Sequence, residues 1–275
     1  MPDLFPLSET SMRLMAFLGV YAIMALAEAA RPKRQLNHGR AGRWFTNLAI
    51  VTLDSVVVRA MAAVTVPLVA VAAALYAQHA GIGILNALEL PAWLAWGVSL
   101  VALDLAIWFQ HLVSHKVPLF WRLHRVHHAD VDIDVSTALR FHPIEIAVSM
   151  LWKVVVVLAL GAPPEAVLLF EIILNGCAMF NHANVSLPAG VDRVLRKVIV
   201  TPDMHRVHHS VHRSEHDTNF GFNLSIWDRI FGTYTAQPRD GHLGMTIGLE
   251  AYQSEEPTRL AWSLSLPFGK NVRGG

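Results

Sequence analysis

Five long apolar runs constrain this chain more than any other feature. They cover residues 12–30, 60–77, 92–112, 144–160 and 166–180. Each approaches the roughly 20 residues that a helix needs to cross a hydrocarbon layer about 30 Å thick. The last two are short and only GAPPE, at 161–165, separates them, so they read either as two spans or as a tilted, re-entrant hairpin. In lipid every backbone polar group has to be satisfied within the segment, which a helix achieves alone. The expected fold is all-α: an integral membrane helical bundle of about four to five spans or hairpins. Composition agrees, because charged residues make up only 16% of the 275, against about a quarter in soluble domains.

The positive residues orient these runs. Arg31, Lys33, Arg34, Arg40 and Arg43 follow the first run; Lys116, Arg122, Arg125 and Arg140 follow the third; Arg193, Arg196, Lys197 and Arg206 follow the fifth. Residues 78–91 and 161–165 carry no Lys or Arg. The positive-inside rule then places the ends of runs one, three and five in the cytoplasm. Asp3 and Glu9 stand where a signal peptide carries positive charge, so the first run reads as a retained anchor. After Asn181 the chain turns polar, as expected for a cytosolic helical cap, and 270–275 reads as a disordered tail. The expected division is membrane anchor helices at 1–91, a domain of membrane helices plus cytosolic cap at 92–240 and a C-terminal tail at 241–275.

Several function classes drop out. The net charge is +1 and no basic stripe resembles a nucleic-acid footprint. Cys177 is the single cysteine, so it forms no internal disulfide and supports no Cys-based zinc site; it reads as a small packing residue.

The histidines carry the chemistry. HRVHH occurs at 124–128 and again at 205–209, and HLVSH occupies 111–115. With 15 histidines in the chain, one chance HxxHH is expected roughly 0.04 times, so two copies beside an HxxxH form a strong signal. On a helix, positions i and i+4 share a face, with i+3 close beside them. His111 and His115 can therefore grip one ion. In each HxxHH the outer histidines (His124 and His128, His205 and His209) share a face. The histidine at i+3 (His127, His208) stands about 100° from its neighbour. Such a tripod can give two imidazoles to one metal and the third to another, so two tripods and a pair suit two metals better than one. Imidazole ligands fit Zn, Fe, Cu or Ni, while Mg and Ca need more oxygen. Position 112 is Leu, so the HExxH of a metalloprotease is absent. The differing flanks of the two copies argue against a duplicated domain. His38, His79 and His242 read as loop or interface residues, His212 and His216 as peripheral, and the acidic run Asp130, Asp132, Asp134 as a solvated loop, with orientation of His128 by one of the three as the alternative. Trp108, Phe109, Trp121 and Trp227 read as interfacial anchors and packing.

HLVSH, the two HRVHH boxes and the segments DLAIWFQHLVSH, STALRFHPIE, FNHANV and NFGFNLSIWDRIFGTY together resemble the fatty acid hydroxylase/sterol desaturase superfamily over about residues 93–234. The resemblance implies a histidine-ligated di-iron centre, with zinc able to replace iron on purification. It also implies O2-dependent oxidation of a lipid drawn from the bilayer, hydroxylation ahead of desaturation or ether-lipid oxygenation, and a separate electron donor of ferredoxin or cytochrome b5 type. It makes His111, His115, His124, His127, His128, His182, His205, His208 and His209 metal ligands. Where fatty acid 2-hydroxylases have an HxxxH, position 178 here is Ala, so one coordination position stays open to Asn184, a water or His142. Asp104, Asn184 and His142 are the candidates for supporting groups behind the ligands. The expected location is the bacterial inner membrane, with the boxes on the cytoplasmic side. The rivals are a membrane protein that carries or senses metal and a zinc hydrolase.

Overall fold

The computed structural model describes residues 8–64, 68–88 and 90–269. The helices that matter here are α1 (Glu9–Ala30), α2 (Arg40–Ala62), α3 (Ala70–Ala80), α4 (Ile84–Ala87), α5 (Ala92–Lys116), α6 (Pro118–His128), α7 (Pro143–Leu160), α8 (Pro164–His182), α9 (Ala189–Leu195) and α10 (Pro202–His208). Among the described residues there is no strand, only isolated bridges. Helices α6, α7, α8 and α10 open on proline, whose missing N–H costs nothing in a first turn. Ser8 caps α1 and Thr201 caps α10.

Five helices, α1, α2, α5, α7 and α8, are long and apolar enough to cross a membrane. The last two runs are thus full-length helices of 18 and 19 residues rather than a shallow hairpin. The second span departs from the sequence expectation. The run at 60–77 is divided: α2 ends at Ala62, and 70–80 forms a separate helix of 11 residues. The spanning helix begins twenty residues earlier, at Arg40. Hydropathy misplaced it because its first half carries Arg43, Thr46 and Asn47, all fully buried against the cap rather than facing lipid.

The spans pack around Leu103, Ile107, Val154, Val157, Val167, Leu168 and Phe170, with α3 contributing Ala70, Ala73 and Ala74. Far from the histidines, the turn before α4 meets the turn after α7. A Cβ on Gly83 would lie 2.2 Å from the Gly161 nitrogen, and both glycines have positive φ, 102° and 67°. No other residue type fits that approach.

At the opposite end, alternate spans bring together the C-termini of α1, α5 and α8 and the N-termini of α2 and α7. Glu28, near the end of α1, accepts the Val135 and Asn184 amides at 2.7 Å each. Residues 245–268 fold back onto this end: Leu249 and Leu266 pack with Ile50 and Val126, and Arg140 donates to the Pro257 carbonyl and to Ser263. Residues 270–275, read as a tail, lie outside the described residues.

The acidic run overturns its sequence reading. Asp130, Asp132 and Asp134 are buried, not solvated. Arg43 donates to Asp130 at 2.6 Å and to Asp134 at 2.7 Å, and Asn47 and Thr137 complete the cluster. Burial alone would raise the Asp130 carboxyl. The charge of Arg43 outweighs it and, with help from Arg140 and Thr137, holds the group at about 2. Arg43 therefore ties α2 to the loop after α6; it is not a free topogenic charge. Arg125, Arg140, Arg196 and Arg206 are likewise buried, which leaves the orientation to Arg31, Lys33, Arg34, Arg40, Lys116, Arg122, Arg193 and Lys197.

Candidate metal centre

The nine box histidines converge into two adjacent groups. His111, His115, His124, His128 and His208 form one, and His127, His182, His205 and His209 the other; within each group one ring nitrogen per residue lies within 4.8 Å of all the others. The pentapeptides divide between the groups as helical phase dictates. The i and i+4 pair His124 and His128 joins the five-membered group, while His127 crosses to the other. In the second copy the pair His205 and His209 joins the four-membered group and His208 crosses over. The two copies are thus complementary, each supplying the third arm of the other's site.

The donor set fits metal ions. His111 and His124 face each other Nε2 to Nε2 at 3.1 Å, and His182 faces both His127 and His205 at the same distance. Two imidazoles bound at about 2.1 Å and at right angles would sit about 3.0 Å apart. Ring nitrogens of His115, His127, His128, His205, His208 and His209 are buried with no hydrogen-bond partner, both of them in His209. That many orphaned acceptors and donors in one place are costly unless a further group satisfies them. Burial, reinforced by the neighbouring imidazoles, holds His127, His128, His205 and His209 well below the usual imidazole range; His208 is depressed likewise. Neutral rings at neutral pH are what metal binding requires.

Outer hydrogen bonds fix several rings. The Nδ1 atoms of His111, His208 and His182 lie 2.7 Å from the carbonyls of Phe220, Thr218 and Ala178, and that of His124 lies 2.6 Å from Glu145 Oε1. Donation there leaves Nε2 as the free ligand atom. The Phe220 carbonyl is itself held, because Asp228 accepts the amides of Phe220 and Gly221, the Thr233 hydroxyl and the Trp108 indole N–H. Trp108 is therefore an internal brace rather than an interfacial anchor. Phe141 stacks on His127 at 4.3 Å between ring centres, and Trp121 lies 5.0 Å from His115.

The three supporting candidates fall outside both groups. Asp104 accepts from Trp227 Nε1 and the Leu224 amide, pinning residues 224–227 to α5. Asn184 exchanges hydrogen bonds with the Arg34 backbone. His142 caps α7 through the Ile144 amide, and its other ring nitrogen meets the Leu264 carbonyl. Glu145 and Asp228 are the supporting groups that sequence reasoning did not single out. For Glu145 the signal was present, an acid opening a membrane span; for Asp228 it was only a place inside a quoted segment. His216 is buried beside Trp121, at 5.5 Å, but joins neither group. A cavity of about 220 Å³ among α1, α2, α5, α7 and α8 reaches His111 and His124 from within the bundle.

Residues 96–233 match the fatty acid hydroxylase family. The chain is 28% identical over 229 residues to the ornithine lipid hydroxylase OlsE of Rhizobium tropici, covering 81% of this chain and 67% of that protein. It is 31% identical over 161 residues to the human alkylglycerol monooxygenase, 58% of this chain but 34% of that one, and 25% identical over 147 residues to the rat cholesterol 25-hydroxylase, 53% and 48%. The chain thus spans two thirds of the first relative and half or less of the other two. No solved structure matches it. These findings define an integral membrane oxidoreductase of the lipid-oxygenase class. The chain belongs to the fatty acid hydroxylase family.

Proposed function

We propose that this protein is a di-iron, O2-dependent hydroxylase of a membrane lipid, with the nine histidines as its metal ligands. The observation that carries the reading is the pair of complementary histidine groups, buried side by side at the ends of the spans, one of them open to a cavity within the bundle. Iron is the metal of choice because imidazole suits it, although zinc competes for such sites during preparation. Bound iron would supply O2 reduction and C–H oxidation. The chain's own residues hold the rings neutral and aimed, screen the centre from water behind Phe141, Phe220 and Phe222, and guide a lipid from the spans. Hydroxylation ranks ahead of desaturation because the relatives are named hydroxylases and a monooxygenase.

A carrier of metal ions places its ionisable residues near mid-span. Here the histidines cluster at the ends of α5 and α8 and in the cap. The electrons come from a separate ferredoxin or cytochrome b5 type protein. The Lys and Arg that stay at the histidine end support a bacterial inner-membrane protein with its centre on the cytoplasmic side. The test is metal analysis of anaerobically purified protein, followed by O2 uptake with a reductant and a lipid extract. Two irons per chain and a product heavier by one oxygen are expected; bound metal with no O2 consumption under any lipid would overturn the assignment.

A further inference from the structure

The cavity that reaches His111 and His124 is mostly apolar, but one wall of it is not. Its α7 wall presents Glu145, Ser149 and Lys153, spaced i, i+4 and i+8 on one face. That stripe is about 12 Å long at 1.5 Å per residue. Gln110 and Ser114 face it from α5, Asn175 from α8 and Asp54 from α2. Polar groups at this depth are costly and need a reason.

Some of them satisfy one another. Ser149 donates to Gln110 at 3.2 Å. Lys153 donates to Glu171 at 2.6 Å, and Glu171 also accepts from Arg13, so the lysine's charge is already paired. Two acids remain. Asp54 is 6% exposed and Glu145 8%, and Asp54 Oδ1 and Glu145 Oε2 are both buried without a partner. Glu145's other oxygen meets His124, so its free oxygen sits next to the metal-facing end. The unspent chemistry of the cavity is therefore acceptor-rich and acidic, and asks its occupant for donors. A primary ammonium offers three N–H groups and a positive charge, a hydroxyl only one donor. At 220 Å³ the cavity is smaller than the roughly 300–1,000 Å³ of sites that enclose a whole small molecule, so only part of a lipid enters.

We propose that Asp54, with the free oxygen of Glu145, binds the donor-bearing head of the lipid substrate, a primary ammonium in preference to a hydroxyl, so that the oxidised carbon lies within a few bonds of that head. This rests on the lipid-oxygenase reading for the reaction, but not for the binding. An anionic head meets only Lys153, already paired with Glu171, and is disfavoured.

The test is equilibrium binding to zinc-loaded protein in lipid nanodiscs, where no turnover occurs, with octadecylamine, octadecanol, octadecanoic acid and octadecyl methyl ether as probes. The amine binds tightest, the alcohol next, and the acid weakest. Asp54→Asn keeps the shape and lowers amine affinity by about tenfold to a hundredfold, the range of a charged hydrogen bond, while methyl ether binding is unchanged. Four probes that bind alike, an acid that binds tightest, or an Asp54→Asn protein that weakens all four equally would each overturn the proposal. Amine preference in a protein that consumes no O2 under its natural reductant would uphold it and overturn the oxygenase reading. Oxidation of lipid with no preference among heads would do the reverse.

Discussion

The two histidine groups are built from the same pentapeptide, yet they are not equivalent. The group of five holds three of its rings from behind: His111 and His208 against carbonyls and His124 against Glu145. The group of four holds only His182 in this way, and the outer nitrogens of His127, His205 and His209 have no partner. A braced site of five imidazoles and a looser one of four are expected to differ as metal sites: rings held from behind bind more tightly, and fewer ligands leave more coordination positions free. The cavity, however, reaches the braced side, at His111 and His124.

The largest expected effect breaks the pentapeptide between its neighbours. His127→Ala and His128→Ala alter adjacent residues that serve different groups. Each variant should lose turnover by at least about a thousandfold, the scale at which a reaction depends on its metal. Metal content should separate them: His127→Ala keeps the metal of the five-membered group, and His128→Ala keeps that of the four. Single-turnover assays and metal counting on purified protein check both. Either variant losing both metals would mean the groups are one site, and loss of neither would show that the altered histidine is not a required ligand.

Acid should come next. The folded rings of His127, His128, His205, His208 and His209 lie below the usual imidazole range, while in the unfolded chain imidazoles take up protons near 6.5. Below that value the unfolded state binds more protons, so this stability is complete above about 6.5, begins to be lost there, and goes on falling as pH drops toward the lowered folded values. Asp130 acts lower down. Its carboxyl is held at about 2 by Arg43, so its contribution is complete above the ordinary carboxylate value and disappears only as pH falls toward 2. Thermal unfolding of metal-free protein should therefore show two acid steps. In loaded protein the four-membered group should release its metal first, because fewer of its rings are pre-oriented. Simultaneous release from both groups down to about pH 5 would refute the asymmetry.

How much of this was readable in sequence follows from the range of each interaction. The division of HRVHH between two histidine groups was legible because helical phase within five residues decides it. The five spans were legible from hydropathy, but the second was displaced, since Arg43, Thr46 and Asn47 lower the apolar density of a helix that buries them. The acids at 130, 132 and 134 read as solvated because their partners lie 87 or more residues away, in Arg43 for Asp130 and Asp134 and in the His38 amide for Asp132. Asp228 was opaque for the same reason: it acts through a carbonyl, Phe220, on a histidine 109 residues from that carbonyl. Spacing reveals what one helix brings together and hides what two helices share.

A smaller effect sharpens the contrast from the braced side. Glu145→Gln keeps an acceptor for the His124 N–H but removes its charge. Affinity of the five-membered group should fall about tenfold to a hundredfold, the usual cost of a lost partner behind a metal ligand. The four-membered group should be unchanged. Chelator competition with spectroscopically distinct metals measures both constants; equal losses would show that Glu145 supports the whole centre rather than one half.

The smallest expected effect comes from the loose side. Ala178 lies one turn before His182 on α8, so a side chain there shares the face of His182. Its carbonyl already accepts from His182 Nδ1, and that contact belongs to the backbone and survives substitution. Ala178→His would add a fifth imidazole to the four-membered group. If that group is short of a ligand, metal affinity there should rise by about tenfold. Turnover should fall several-fold, because the new ring fills a coordination position and also intrudes on the cavity that Ala178 lines. Release kinetics under chelator and steady-state turnover read the two changes separately. Tighter metal with slower turnover identifies the missing ligand as the source of reactivity. Unchanged metal affinity would show that four imidazoles already complete that group, and the difference between the halves would then reside only in how their rings are held.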